Sequence, residues 1–315
     1  MPFSTRLTMA RDAGLVLPDG PVAVWGVTPS SDISALDHAQ IISRDARVHD
    51  RFPDALETPA GPYGACVVLL PREKKRAQAF LAEAARSTGP LIVDGQKTDG
   101  IEPVFKALKK MGETSGPVSK SHGKLFWMEA APDLSIWRAT PGEVEGLRTW
   151  PGVFSDSKVD VGSRLLAQAL PAKLGTSLCD LGAGWGWLSA QVQAEGRDIH
   201  MVEADGEALD CAHHNVPDAT AHWADVTRWQ HPRLFDTVIM NPPFHEGRKG
   251  KPDLGQSFIM KAAEILKPTG QLFMVANRHL PYEDTLAAQF AHVEEMPGDG
   301  RFKIFRATRP SRRRR

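Results

Sequence analysis

A rigid turn, NPPFHEG at residues 241–247, places an amide, two prolines and an aromatic ring directly after an apolar segment. Proline lacks a backbone N–H and has a fixed φ, so the turn holds its carbonyl groups in set directions. The side-chain carbonyl of Asn241 and the main-chain carbonyl of Pro242 suit an amine with two N–H donors. Pro243 and Phe244 follow, and the Phe244 ring offers a face on which a planar base can stack. The turn predicts a site for a planar exocyclic amine, with Asn241 and Pro242 catalytic and Pro243 and Phe244 contacting substrate.

A glycine-rich turn, CDLGAGWGWLS at residues 179–189, follows an apolar strand candidate and precedes a helical stretch. Glycine permits tight turns and lets a ligand lie against bare backbone. Gly182, Gly184 and Gly186 alternate, so the spacing is not the G-x-G-x-x-G of dinucleotide-binding proteins. We therefore expect a ligand to lie against this turn. The alternative is a packing turn that holds no ligand.

An acidic residue follows each of the next two strand candidates. Glu203 ends HMVE, and a carboxylate there can accept hydrogen bonds from both hydroxyls of a ribose. Asp225 ends the following strand candidate in the same way and could meet an adenine amino group. Either acid alone could be an exposed strand-end residue. Together with the glycine turn, they predict contacts to the two parts of a nucleoside.

These motifs lie at the ends of short apolar runs that alternate with helical stretches. Continuous apolar runs are typical of parallel strands covered on both faces. The second half therefore predicts an α/β fold with a doubly wound sheet. Its strand candidates are residues 177–183, 198–204, 221–226, 235–241 and 270–277, followed by an antiparallel pair near 291–295 and 301–307.

The first half shows the same alternation of apolar runs and helical stretches, with strand candidates at residues 22–27, 65–70, 90–95 and 124–130. Its first strand is followed by VTPSSD without a glycine triad, and the strand at 65–70 is followed by LLPREKKR in place of an NPPF turn. The segment 131–160 is richer in proline and glycine and predicts the linker. We therefore expect a domain at 1–138 that lacks both chemical signatures and a catalytic domain at 139–315.

Composition narrows the class of protein. The chain has 315 residues, 42% hydrophobic and 24% charged, with no long apolar run or signal-peptide core, so we expect neither membrane contact nor export. Three scattered cysteines predict no disulfide framework and no zinc site, and they favour a reducing cytoplasm. Net charge is zero, but residues 301–315 carry eight basic groups and no acid, which hints at a polyanion such as RNA. A solvated tail is the alternative.

The motifs together resemble class I S-adenosylmethionine-dependent methyltransferases. In that family the glycine turn holds the methionine part of the cofactor, and the acids after the second and third strands hold its ribose and adenine. An NPPF-type turn marks transfer to an amino or amide nitrogen. The resemblance implies S-adenosylmethionine as cofactor, S-adenosylhomocysteine as product, and cofactor contacts at six positions. These are Asp180, Gly182, Gly184, Glu203, Asp225 and Asn241.

Four segments of the chain resemble one subfamily of these methyltransferases in particular. WPGVFSDSKVDVGSRLL at 150–166, NPPFHEG at 241–247, VANRHLPY at 275–282 and GRFKIFRA at 300–307 are similar to the bacterial guanine-N2 methyltransferases of 16S ribosomal RNA, the RsmC type. That family has two tandem Rossmann-like methyltransferase domains. The N-terminal domain has lost its cofactor site and is expected to dock RNA, whereas the C-terminal one has a seven-stranded, mostly parallel sheet.

The resemblance implies methylation of a guanine N2 in 16S ribosomal RNA, within the 30S subunit or its precursor, in the cytoplasm. The sulfonium of the cofactor is already activated, so the reaction needs no metal. The NPPF motif alone does not distinguish this methyl acceptor from other amines. The alternatives are a guanine in 23S ribosomal RNA, an adenine N6, or a protein glutamine. A non-catalytic RNA-binding assembly protein and a dinucleotide-dependent oxidoreductase are alternatives from other classes.

Overall fold

A computed structural model describes residues 2–87, 89–243 and 252–311. The chain divides into two compact units, Met1–Thr140 and Pro141–Arg315. The predicted α/β class is confirmed in both units. The roles expected of the two halves, RNA docking and catalysis, stay predictions. No helix among the described residues is long and apolar enough to cross a membrane.

The first unit is a six-stranded mixed sheet with helices on its faces. The strand order is β2-β1-β3-β4-β6-β5, in which the first three pairings are parallel and the last two antiparallel. Its elements are α1 (Pro2–Asp12), β1 (Val22–Trp25), β2 (Ala39–Ile42), α2 (Ala46–Arg51), β3 (Ala65–Leu69), α3 (Lys74–Ala84), β4 (Leu91–Gln96), α4 (Ile101–Met111), β5 (Ser115–Lys120) and β6 (Gly123–Met128).

Alternating side chains build two cores on the two faces of this first sheet. In β1, Ala23 and Trp25 pack into one cluster, while Val22 and Val24 pack into the other. A strand whose side chains are buried on both faces is apolar throughout, which is why β1 reads as a continuous hydrophobic run.

The second unit is a seven-stranded sheet with the order β11-β10-β9-β12-β13-β15-β14. The strand β15 runs opposite to the other six strands, which are parallel to one another. The predicted seven-stranded, mostly parallel sheet is therefore confirmed. Its elements are β7 (Gly142–Val144), β8 (Leu147–Thr149), α5 (Val161–Ala169), β9 (Ser177–Leu181), α6 (Trp187–Gln191), β10 (Asp198–Glu203), α7 (Gly206–Asn215), β11 (Thr220–Trp223), β12 (Phe235–Met240), α8 (Pro252–Ile265), β13 (Leu266–Asn277), α9 (Glu283–Gln289), β14 (Phe290–Met296) and β15 (Phe302–Pro310).

The order of the strands in this second sheet reverses between β9 and β12. From β9 the chain builds outward through β10 to β11, and it then returns to place β12 on the other side of β9. Connections that leave in opposite directions separate the carboxyl ends of two neighbouring strands and open a crevice there. The glycine turn follows β9 and the NPPF turn follows β12, so both motifs lie at this crevice.

The strand order of the first sheet matches that of the second, except that the first sheet has no full strand in the position of β11. At the outer edge of β2, where the second sheet has β11, only a single parallel bridge joins Ile42 to Leu56. Gly26, after β1, has a φ of +74°, and a Cβ there would lie 1.8 Å from the carbonyl oxygen of Leu69 at the end of β3. Trp25 and Val68 are paired in the sheet, so Gly26 and Leu69 are the next neighbours along β1 and β3, and only glycine fits there.

Several short elements escaped sequence-based prediction. The edge strand β5 reads SGPVSK and has mostly exposed or half-buried side chains, so it lacks the apolar run of a central strand. The four-residue β2 and the β7–β8 hairpin are too short for a periodic signal. Helix α5 lies at the end of the proline- and glycine-rich segment and begins at its cap Asp160.

Candidate cofactor and substrate site

A cleft lies in the crevice of the second unit. The glycine turn forms one wall, and the segment that precedes and begins α5 forms the opposite wall with the first residue of the NPPF turn. The lining residues are Phe154, Ser155, Val159, Asp160, Ser163, Gly182, Ala183, Gly184, Trp185, Trp187, Leu188 and Asn241. Three residues predicted from sequence, Gly182, Gly184 and Asn241, therefore meet in one cleft.

The glycines of the turn serve different purposes. Gly184 has a φ of +56°, lines the cleft, and a Cβ there would meet no atom within 4 Å. Gly186 also has a left-handed φ, but a Cβ there would lie 2.9 Å from the Cα of Ala212 in α7. Gly186 is thus required for helix packing, whereas Gly184 leaves bare backbone toward the space that a ligand would fill.

Asp180 lies beneath the turn and is fully buried. Its Oδ2 accepts a hydrogen bond of 2.8 Å from the Ser189 hydroxyl, while its Oδ1 has no protein partner. Burial raises the pKa of this carboxyl to about 7, with Glu203 adding to the rise and Ser189 opposing it. A buried acceptor left open is costly for the folded chain, so Asp180 is a good candidate for a ligand contact.

The Glu203 carboxylate is fixed by three backbone amides. Its Oε1 accepts from the N–H groups of Ala204 and Asp205, and its Oε2 accepts from Gly184 N–H at 2.9 Å. Burial raises its pKa, and these hydrogen bonds oppose that effect. Oε1 thus already accepts two hydrogen bonds, whereas Oε2 accepts one and can accept another from a hydroxyl. The bond to Gly184 also ties the end of β10 to the glycine turn.

Asp225 lies in the loop after β11, outside the set of residues that line the cleft. Its Oδ1 accepts from the backbone N–H and the hydroxyl of Thr227, both at 2.8 Å, which closes a small turn. The neighbouring Ala224 donates its N–H to the carbonyl of Glu203 at 3.0 Å. This bond places the start of the Asp225 loop beside the end of β10, as the prediction requires, although a direct cleft contact is absent.

The amide of Asn241 is held in one orientation. Its Nδ2 donates to Asp160 Oδ2 at 2.9 Å and to Ser163 Oγ at 2.8 Å. An ionised carboxylate only accepts, so the nitrogen must face Asp160 and the carbonyl must face away. The Asn241 Oδ1 is buried and has no protein partner. This arrangement gives one oriented, unused acceptor at the cleft.

The prolines of the turn differ in exposure: Pro242 is buried and Pro243 is exposed. Phe244, the predicted stacking residue, lies outside the described residues. Its place in the site stays a prediction.

Sequence reasoning missed the residues that support Asn241. Asp160 and Ser163 lie 81 and 78 positions away in the chain and carry no short-range signal for that contact. Phe154, whose side chain is 59% exposed, also lines the cleft, and Trp185 Nε1 donates to its carbonyl at 3.0 Å. All three residues fall within the 150–166 segment that carried the family resemblance, which was the one available signal.

Comparison with known proteins shows the family to which the chain belongs. Residues 145–306 match the family described as "Methyltransferase small domain". A ribosomal RNA small subunit methyltransferase C from Hahella chejuensis is 31% identical over 249 residues, which cover 73% of this chain and 72% of that protein. The chain belongs to the ribosomal RNA small subunit methyltransferase C family. As a member of this family it is an S-adenosylmethionine-dependent methyltransferase.

Two further relatives show that the likeness extends over nearly the whole chain. A methyltransferase C from Shewanella sp. strain MR-4 is 29% identical over 309 residues, 90% of each chain. The structure of "T. Thermophilus 16S rRNA N2 G1207 methyltransferase (RsmC) in complex with AdoMet and Guanosine" matches with a TM-score of 0.79 at 28% identity. That match covers 98% of this chain and 92% of the other, so both units belong to the methyltransferase C architecture.

We expect Asp180→Asn to stabilise the chain at neutral and alkaline pH. The unfolded carboxyl ionises near pH 3.8, whereas the folded one keeps its proton up to about pH 7. The unfolded state therefore binds fewer protons in that window, and stability falls as pH rises through it. The full loss is on the order of a few kcal/mol.

Urea denaturation of both proteins across this pH range measures the effect. The difference in free energy of unfolding between Asp180→Asn and the parent should grow from about pH 4 to pH 7 and then level off. The control is Asp218→Asn, at an exposed carboxyl, whose stability should change with pH as that of the parent does. A pH-independent difference between Asp180→Asn and the parent would show that Asp180 is ionised in the folded chain.

We expect Gly184→Ala to weaken S-adenosylmethionine binding by roughly tenfold or more, because its methyl group would occupy cleft space. The matched control is Gly196→Ala. Gly196 also has a left-handed φ, +72°, and room for a Cβ, but it lies in an exposed turn before β10. Calorimetric titration of both variants separates the two effects. Equal affinities for the two variants would contradict a cofactor contact at Gly184.

Proposed function

We propose that this chain transfers a methyl group from S-adenosylmethionine to the exocyclic N2 of a guanine in 16S ribosomal RNA. The observation that carries the proposal is the Asn241 amide, whose Oδ1 is buried, oriented and without a protein partner. An amine with two N–H donors supplies the missing hydrogen bond. The relatives named for small-subunit ribosomal RNA, and the solved RsmC with its guanosine, support guanine as the amine.

The residues of the cleft fit the cofactor. When bound, S-adenosylmethionine supplies a methyl group activated by a sulfonium. Gly182 and Gly184 would present bare backbone to its methionine part, with the open Oδ1 of Asp180 beneath. Glu203 would accept a hydrogen bond from the ribose, and Asp225 would meet the adenine from the adjoining loop. Asn241, which lines the same cleft, would lie between cofactor and substrate.

The contribution of the chain to the reaction is to orient the attacking nitrogen. Asn241 Oδ1 and the carbonyl of Pro242 would accept the two N2 hydrogens and direct the nitrogen lone pair toward the methyl group. Asp160 and Ser163 act as positioning residues because they prevent the amide from rotating. Pro243 and Phe244 would contact the base. Because the amine loses its proton after attack, no strong general base is required.

We further place the reaction on the 30S subunit or its precursor, in the cytoplasm and without a catalytic metal. All three cysteines are free and buried, which fits a reducing compartment. The first unit would dock RNA, since its sequence has neither the glycine triad nor the NPPF turn of the second unit. The basic residues of 301–315 would add salt-sensitive affinity for phosphates.

Incubation with tritiated S-adenosylmethionine tests the substrate directly. Separate reactions contain 30S subunits, 50S subunits or naked ribosomal RNA from cells lacking the protein, and the labelled nucleoside is then identified. We expect N2-methylguanosine from the small subunit. Label in the large subunit, in N6-methyladenosine or in a protein amide would leave the assignment of the cofactor intact and show that the substrate is a different amine. Absence of label together with absence of cofactor binding would instead favour a non-catalytic assembly protein.

We expect Asn241→Ala to lower the methylation rate by roughly 10²-fold or more, the size of losing one oriented hydrogen-bond partner at a reacting group. Single-turnover rates measure the chemical step, and calorimetry with S-adenosylmethionine reports cofactor binding separately. A lost rate with cofactor still bound assigns Asn241 to the amine. Near-normal turnover in this variant would remove Asn241 from the mechanism.

A further inference from the structure

Three histidines converge near the outer edge of the second sheet, away from the cleft lining. His200 lies in β10, His222 in β11 and His231 in the connection between β11 and β12. One ring nitrogen from each lies within 4.8 Å of the others. His200 is buried, while His222 and His231 are partly exposed, so the group is reachable from solvent.

The two strand histidines are brought together by the register of the sheet. Val202 of β10 is paired with His222 of β11, and His200 is two residues before Val202. Residues two apart in a strand share a face, so His200 and His222 project on the same side. Their rings are nearly coplanar, at 10°, with His200 Nδ1 2.8 Å from His222 Nε2. The nitrogen atoms of the two rings thus point at one another.

Packing fixes the third ring. His231 stacks on Trp229 with ring centroids 5.4 Å apart, and its centroid lies 5.2 Å from that of Phe235. Its Nδ1 lies 3.1 Å from the carbonyl of Arg233. The backbone N–H of Arg233 also donates to this Nδ1 at 3.3 Å, so Arg233 holds the ring on its Nδ1 side.

A carboxylate lies behind the buried histidine. Asp198 Oδ1 is 3.2 Å from His200 Nε2, the nitrogen that does not face His222, and a small rotation of the carboxylate would form the hydrogen bond that this buried nitrogen lacks. In metal sites a coordinating histidine commonly donates its other N–H to a carboxylate, which fixes the tautomer and strengthens the ligand.

We propose that His200, His222 and His231 bind one divalent transition-metal ion of the zinc class, with Asp198 orienting His200. Three imidazoles suit zinc, and a water would complete its tetrahedron. Nitrogen ligands at zinc lie about 3.3 Å apart, so the His200–His222 pair needs to open by about 0.5 Å and the third ring to close in. The two rings would also give up the hydrogen bond between these nitrogens and turn so that both lone pairs face the ion.

The ion would have a structural role. It would join β10, β11 and the connection that also carries Asp225. His200 lies three residues before Glu203 in the same strand, or about 10 Å from it, so the metal would not reach the reacting atoms. The methyl transfer proposed above therefore does not depend on it.

The test uses the full-length chain without an affinity tag, after treatment with a chelator and dialysis. Zinc is titrated calorimetrically, and bound metal is measured by elemental analysis. Cobalt serves as a spectroscopic probe, because its absorption reports tetrahedral coordination. We expect one zinc per chain and a rise in Tm of roughly 5 °C or more at a hundredfold excess over Kd.

Variants locate the site. We expect His222→Gln and His231→Gln to weaken zinc binding by at least about 100-fold, and Asp198→Asn by about 10–100-fold. His213→Gln, at an exposed histidine of α7, is the matched control and should bind zinc as the parent does. Thermal unfolding in chelator checks that each variant folds. If His222→Gln, in a strand, fails to fold, His231→Gln, in a loop, still tests the site.

Two results would overturn the proposal. One is a parent chain that binds no zinc after chelator treatment. The other is a folded His231→Gln or His222→Gln variant whose zinc affinity equals that of His213→Gln. Neither measurement uses RNA or S-adenosylmethionine, so a failed metal site and a failed methyltransferase assignment are told apart.

Discussion

The reversal of strand order between β9 and β12 is the constraint on which the second unit depends. Parallel neighbours normally continue into connections that cover them, but here the chain leaves β9 and β12 in opposite directions and leaves their carboxyl ends uncovered. The glycine turn and the NPPF turn face each other only because of this reversal. The core clusters on both faces of the sheet keep these two strand ends rigidly placed.

Hydrogen bonds then convert this crevice into a site with defined directions. Gly184 N–H ties Glu203 to the turn, and Asp160 and Ser163 hold the nitrogen of Asn241. The chain leaves two buried oxygen atoms at the site unpaired, Oδ1 of Asp180 and Oδ1 of Asn241. Unpaired buried acceptors destabilise a folded protein. Their position at the cleft is consistent with stability being given up for ligand binding.

Much of this was readable from sequence because it depends on local chemistry. The apolar strands, Gly184, Glu203 and Asn241 each carry a signal within a few residues. Asp160 could not be assigned its role, because its contact with Asn241 spans 81 positions and depends on where α5 begins. The three histidines were invisible for the same reason, since only the register of β10 and β11 brings His200 to His222. The edge strand β5 lacked an apolar pattern because it has only one neighbour.

The close approach of Gly26 to Leu69 limits how the first unit can vary. A Cβ at position 26 would lie 1.8 Å from the carbonyl oxygen of Leu69, and main chain cannot turn aside as the end of a flexible side chain can. The strands β1 and β3 meet at this point, so a larger residue would have to push them apart. We therefore expect glycine to be retained at position 26 in any related sequence that keeps this sheet, although the first unit carries neither chemical signature of the second.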